Sequence, residues 1–260
     1  MKKLIFSLLP RAWQRRFILH RTGFKVTDVK VSPSTRFRMC IMPKTTTWDA
    51  RLGREYGHEP QITKFYEQSL KENDIVFDVG AQMGYFPCLI SAISPKVKVF
   101  AFEANWFTHS FLLRNKVMND PGDKWSVYNY FISDTDKSEK GETYRTINTI
   151  VSSQKIVPTI FQMDVDGEEH RILRGAGTLL NNGVTEFLIE VHPKDLKDRG
   201  ISVQEFLGYF NPEKFVFRYL PDLRSNSSVW VDDIARVDLS EEFYLYAAPP
   251  SKCRINGDQS

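Results

Sequence analysis

From residue 74 onward the chain repeats one unit: a short apolar run, a turn carrying glycines or acids, then a stretch of helical periodicity. The runs at 75–80, 97–102, 125–132, 159–164 and 186–191 read as strands, being short, rich in β-branched and aromatic residues, and bounded by turn formers. Segments 61–71, 87–94, 107–118 and 168–180 carry apolar residues at helical spacing, and Pro87 suits a first helical turn. Ser202 and Glu205 form a capping-box signature that opens a helix through residue 210, and two further strands are expected at 215–220 and 243–247. Strands alternating with helices of this length build a parallel sheet covered on both faces. The expected fold is α/β: a doubly wound, Rossmann-like sheet of seven strands, mostly parallel, with helices on both faces. Residues 133–158 break the rhythm. They read either as a surface excursion or as a loop over the substrate, with Tyr144, Arg145 and Asn148 as polar grips.

In such a sheet, ligands bind outside the carboxyl ends of the strands, where the strand order switches. The turn after the first run is Asp78-Val79-Gly80-Ala81-Gln82-Met83-Gly84. Its glycines allow a sharp turn and close approach to a ligand. The spacing is GxxxG, not the GxGxxG that seats a pyrophosphate on a helix N-terminus. Asp78 repels phosphate and suits an ammonium group, which favours a ligand bearing an amino acid. The plain alternative is a tight strand–helix connection. Glu103 follows Gly80 by 23 residues, the position at which a carboxylate accepts from ribose hydroxyls. Asp134 is a candidate acceptor for an adenine amino group, although residues 133–136 also read as an ordinary turn.

Asp164, Asp166, Glu168 and Glu169 follow the fourth run. Acids in a first helical turn account for Glu168 and Glu169 but not for Asp164, which ends a strand. Glu190 and His192 project to one side by alternation. His192 is the first candidate general base because its unperturbed pKa suits neutral pH, with a structural histidine as the alternative. Asp164 is the second candidate, and Glu190 orients the histidine or holds substrate. Asp164, Asp166 and Glu190 also offer oxygens to a divalent ion, but no metal is assigned.

These blocks together resemble the FkbM-type methyltransferases, a class I group that uses S-adenosylmethionine. The resemblance spans about residues 56–220. It rests on Gly57-His58-Glu59-Pro60, the Asp74 to Tyr85 block, Val99 to Ala104, the Asn115 and Asn119 pair, Met163 to Glu169, Leu173 to Ala176, and Ile189 to Pro193. It implies a cofactor pocket of Asp78, Gly80, Gly84 and Glu103. It also puts Glu59 and Asp164 near the reacting centre, with Glu59 counted among the cofactor-binding residues. Three positions depart from the family pattern: Gln82 for asparagine, Gln162 for lysine and Asp166 for glutamate. The resemblance implies O-methylation of a hydroxyl on a sugar, glycan or glycosylated, lipid-linked small molecule. Two rival readings stay open: a non-catalytic cofactor- or partner-binding member of the same fold, and a nucleotide-dependent oxidoreductase, which the missing GxGxxG disfavours.

Charge divides the chain. Residues 1–27 hold seven basic residues and no acid, leaving 28 basic against 32 acidic residues in the remainder. This arm, which also carries Leu8, Leu9, Trp13 and Phe17, either packs on the domain or lies on an anionic membrane surface. It carries no nucleic-acid-binding motif and no signal-peptide pattern. Cys40, Cys88 and Cys253 lie far apart without CxxC spacing, which fits a reducing, cytoplasmic setting. The expected division is a basic extension and lead-in over 1–58, a methyltransferase domain over 59–250 and a polar tail over 251–260.

Overall fold

The structure, a computed structural model, describes residues 23–43, 51–53 and 56–255. Residues 1–22 of the basic arm and 256–260 of the tail lie outside the described residues. A hairpin comes first, β1 (Lys25–Lys30) and β2 (Arg36–Ile41), followed by α1 (Pro60–Ser69), β3 (Ile75–Val79), α2 (Tyr85–Ile93), β4 (Lys98–Phe102), α3 (Trp106–Asn119) and β5 (Trp125–Tyr128). Then come β6 (Phe131–Ile132), β7 (Lys137–Glu139), β8 (Glu142–Arg145), α4 (Ile147–Gln154), β9 (Ile160–Met163), α5 (Glu169–Arg174) and α6 (Gly177–Asn181). The chain continues through β10 (Glu186–Val191), α7 (Pro193–Asp198), α8 (Val203–Leu207), β11 (Val216–Leu220) and β12 (Phe243–Ala248).

The central sheet has seven strands in the order β11-β12-β10-β9-β3-β4-β5. Strand β12 runs antiparallel to both neighbours, and the other pairings are parallel. The chain leaves β3 toward β4 and β5, then returns to β9 on the other side. The switch in strand order therefore falls between β3 and β9, as the doubly wound reading requires.

Alternation sorts each strand between two cores. Phe77, Val79, Phe161, Met163, Phe187 and Ile189 pack toward α4–α8, while Val76, Ile160 and Leu188 pack toward the hairpin and α1–α3. By the same parity Asp78, Gln162 and Glu190 fall on the hairpin side. The sheet thus carries a polar row within an apolar face.

The lead-in belongs to this core. Val29, Met39 and Ile41 are fully buried. Asn115 of α3 donates to the carbonyls of Cys40 (3.0 Å) and Met83 (2.6 Å) and accepts from the Cys40 amide (2.6 Å). The polar tail is anchored as well. Arg254 bonds both oxygens of Asp74 at 2.6 and 2.8 Å and Glu186 at 2.7 Å.

Three expectations are corrected. The third strand ends at Tyr128, and Phe131–Ile132 joins a separate three-stranded sheet, β6-β8-β7. The segment read as a break, 133–158, contains that sheet's hairpin and α4. Its strands are mostly exposed and polar, so no alternation marks them, and the turn is Lys140-Gly141 with φ of 50° and 79°. The helix expected over 168–180 is two helices. Gly175 separates them, its backbone pressed so close to the Ser133 carbonyl that a Cβ would stand 2.3 Å away. The capping box at Ser202 and Glu205 forms as expected. No helix among the described residues is long and apolar enough to cross a membrane.

Replacing Arg254 by alanine leaves Asp74 and Glu186 buried without a counter-charge. Loss of one partner from such a group costs about 3–5 kcal/mol, measurable by chemical denaturation. Burial pushes the Asp74 pKa up, but the Arg254 and Lys71 hydrogen bonds outweigh it and the net shift is downward. A lowered folded pKa means that the Asp74 contribution is complete above the ordinary aspartate range and is lost as pH falls through the lowered value. Asp74→Asn is expected to flatten that acid limb of the stability profile.

Candidate active site

The carboxyl ends of β3, β4, β9 and β10 surround a cavity of about 650 Å³. Gly80, Gln82, Glu103, Asp164, Glu190 and His192 line it, together with Trp106, Tyr130, Glu142 and Arg224. A small recess beside it is bordered by Asp78, Gln162, Tyr85 and His58. The sequence-expected cluster converges here at the switch point, except for Asp134, Glu59 and Gly84, whose close neighbour is Leu112.

The glycine turn is shaped by close approach. Gly80 has φ of +87°, and a Cβ there would stand 1.8 Å from the Asp164 carbonyl oxygen. Gly84 has φ of +91° and caps α2. Gln82 also adopts a positive φ, 47°, and its amide donates to Glu103 at 2.8 Å. Glu103 further accepts from the Asn105 amide (2.8 Å) and the Thr108 hydroxyl (2.9 Å). Three of its roughly four acceptor positions are therefore engaged within the protein, leaving one for a ligand. Burial raises the Glu103 pKa, and these donors pull against that rise.

Asp78 is 3% exposed, and its Oδ2 has no hydrogen-bond partner among the described residues. Burial lifts its pKa well above the ordinary value, and the charges of Asp164, Glu103 and Glu59 lift it further. An unpartnered buried carboxylate beside a ligand-sized opening is costly unless a cation arrives.

His192 is fixed by a residue that the sequence reading assigned to the helix dipole. Glu169 is fully buried, and its Oε1 lies 2.6 Å from His192 Nδ1. The other ring nitrogen, Nε2, faces Asp164 and Asp166 oxygens at 3.6 Å each and a Glu190 oxygen at 3.9 Å. Burial pushes the imidazole down, but the Glu169 hydrogen bond and the charges of Glu169, Asp164 and Asp166 outweigh it and raise it to about 9. With no ligand beside Nε2, that shift favours the protonated imidazole at neutral pH, which weighs against a resting base there. Asp164 is raised to about 7 by burial and the Glu59 charge, opposed by His192. No hydrogen bond among the described residues engages its carboxylate.

Glu59 is turned inward. Its oxygens accept from Arg224 at 2.7 Å and the Tyr244 hydroxyl at 2.6 Å. It is absent from the cavity wall and positions Arg224, which also reaches Glu190 at 3.4 Å. Asp134 is likewise engaged elsewhere, by Arg171 and Arg174 at 3.3 and 3.4 Å. Of the expected grips, Tyr144 stacks on Phe131, Arg145 bonds the Tyr144 carbonyl, and Asn148 caps Thr178. None lines the cavity, whereas Glu142 of the same hairpin does. Arg224 was invisible beforehand because its loop, 221–229, has no periodicity or motif.

The chain has a doubly wound, Rossmann-like α/β fold with one antiparallel strand in its seven-stranded sheet. No family model matches it. In sequence it is 25% identical, over 166 residues, to the hexuronic acid methyltransferase AglP of Haloferax volcanii, covering 55% of this chain and 68% of that one. In structure it is similar to the methyltransferase FkbM of Methylobacillus flagellatus, with a TM-score of 0.49 and 15% identity over 70% of this chain. The match covers 47% of that protein, so this chain spans about half its length. It is also similar to TYW2 of P. horikoshii in complex with MeSAdo, with a TM-score of 0.49, 16% identity and coverage of 85% and 70% of the two chains.

Gly80→Ala forces a side chain into the Asp164 carbonyl at a left-handed backbone position. Backbone strain of this kind costs about 1–3 kcal/mol, and the steric overlap adds to it. The variant is expected to melt at a lower temperature, read by thermal shift.

Proposed function

We propose that the chain is an S-adenosylmethionine-dependent methyltransferase whose acceptor is a hydroxyl of a sugar or sugar-bearing molecule. One observation carries the cofactor assignment: the orphaned Asp78 carboxylate at the switch point, beside a left-handed glycine turn and one strand away from Glu103. These residues fit the group. Asp78 suits the ammonium of the methionyl part, Gly80 lets the backbone approach it, and the remaining Glu103 position takes a ribose hydroxyl. A pyrophosphate would meet carboxylates on several sides.

When bound, the cofactor supplies an electrophilic methyl on a sulfonium. The protein's part is to position the acceptor, exclude water and take the hydroxyl proton. Positioning alone contributes on the order of 7–11 kcal/mol in favourable cases. Asp164 projects from the end of β9 with a carboxylate that accepts no hydrogen bond from a described residue, its nearest cation being His192 Nε2 at 3.6 Å, so it is the group free to accept that proton. His192 and Arg224 hold the neighbouring carboxylates and steady the local charge. The acidic wall of Asp164, Asp166, Glu190 and Glu142 favours a neutral or cationic region of the acceptor over an anionic one. A hydroxyl-rich sugar offers donors to such a wall, and the sequence similarity to a hexuronic acid methyltransferase supports a sugar as the acceptor, with any acid group it carries turned away from these carboxylates.

Calorimetry and thermal shift test the cofactor: S-adenosylhomocysteine is expected to stabilise the protein and NAD not to. A charge-assisted hydrogen bond is worth about 1.5–3 kcal/mol, so Asp78→Asn is expected to weaken S-adenosylhomocysteine roughly 10- to 150-fold. Asp164→Asn is expected to keep that affinity within a few-fold while turnover falls about 10²- to 10⁴-fold. Turnover is read as labelled methyl transferred to a panel of sugars and glycosides. Failure of any hydroxylated acceptor to take label, despite tight cofactor binding, would overturn the acceptor assignment.

A further inference from the structure

We infer that His192, Asp164 and Glu190 form a binding site for a first-row divalent cation, with Asp166 within reach as a fourth ligand. One atom from each of His192, Asp164 and Glu190 lies within 4.8 Å of the others. Around His192 Nε2 the carboxylate oxygens stand at 3.6, 3.6 and 3.9 Å. None of these is a hydrogen bond, whose heavy atoms approach to about 2.7–3.2 Å. They match instead ligands that share an ion. Donors each about 2.1–2.2 Å from a metal stand about 3–4.4 Å apart.

Two independent features point the same way. Glu190 is 2% exposed and lines the cavity, yet its Oε2 has no hydrogen-bond partner among the described residues. The Glu169 carboxylate at 2.6 Å from Nδ1 fixes the ring so that Nε2 faces the cluster. A buried carboxylate behind a histidine is the arrangement that orients metal-binding imidazoles and raises their basicity.

An imidazole joined to carboxylates favours ions such as Mn²⁺ or Zn²⁺ over magnesium, which prefers an all-oxygen shell. The ion's use in methyl transfer, holding the acceptor oxygen beside Asp164, rests on the function proposed above. Its binding does not.

The test is Mn²⁺ titration of the full chain after chelator treatment, followed by electron paramagnetic resonance without cofactor or acceptor. One Mn²⁺ per chain is expected, with a nitrogen coupling in the pulsed spectrum. His192→Ala is expected to abolish that coupling and to weaken binding at least tenfold. Glu169→Gln, a positioning variant, is expected to retain the coupling and weaken binding roughly 10- to 100-fold. Absence of stoichiometric Mn²⁺ from the wild-type chain would overturn the inference. So would a bound ion without nitrogen coupling, and neither result depends on a variant's folding or on methyl transfer.

Discussion

Crowded negative charge at one end of a largely dry sheet is the constraint to which the rest of the site answers. Asp78, Asp164 and Glu190 come from three adjacent strands and share one face, because each strand's inward alternation leaves a polar residue there. Glu59 meets them from the start of α1. Carboxylates this close in a low-dielectric setting disfavour one another's ionised forms. Burial first, and that conflict after it, displace Asp78, Asp164 and Glu190 upward. Two resident cations meet part of it. Arg224 is shared by Glu59 and Glu190, and His192 is held by Glu169 against Asp164 and Asp166. Each cation thus has one partner that fixes it and others that face the cavity.

What those cations leave unmet marks where ligands belong. The two orphaned oxygens of the polar row, on Asp78 and Glu190, sit at the recess and on the cavity wall respectively. One suits an ammonium and the other a metal ion. The scaffold that tolerates this charge is conventional: two apolar cores sandwich the sheet, and the Asp74–Glu186–Arg254 group ties the tail to the opposite ends of β3 and β10. Satisfied ion pairs therefore lie at the amino ends of these strands and unsatisfied ones at the carboxyl ends. That is the polarity expected of a sheet that binds at its carboxyl edge.

Most of the sheet was legible from sequence because its strands are buried on both faces and read as continuous apolar runs. The glycine turn, Asp78, Glu103, Asp164, Glu190 and His192 were legible because they close or follow those runs. Most of the misread parts share a physical cause, namely contacts between segments distant in sequence. Glu169 looks like an ordinary first-turn acid, and nothing local shows that it is fully buried against His192. Glu59 and Arg224 are 165 residues apart, so their 2.7 Å contact has no sequence signature. The β7–β8 hairpin escaped notice because an exposed strand pair needs no alternation. The Gly175 break escaped because the obstacle is a backbone carbonyl from residue 133.

The departures from the family pattern fall within this charge system and can be judged by it. Gln162 is paired in register with Asp78, and its side-chain oxygen accepts from Tyr66 at 2.6 Å. A lysine there would stand beside Asp78 as a resident counter-charge. Glutamine removes it, so the Asp78 carboxylate depends more heavily on a ligand's ammonium, which strengthens the pull on that ligand while costing the empty protein stability. Asp166 sits at φ of 39°, a left-handed position where a short polar side chain is tolerated best. Its carboxylate still comes within 3.6 Å of His192 Nε2. Aspartate therefore keeps the acid facing the histidine on a turn that a longer glutamate would strain. The first substitution removes a positive charge from the border of the recess, and the second keeps an acid facing the histidine.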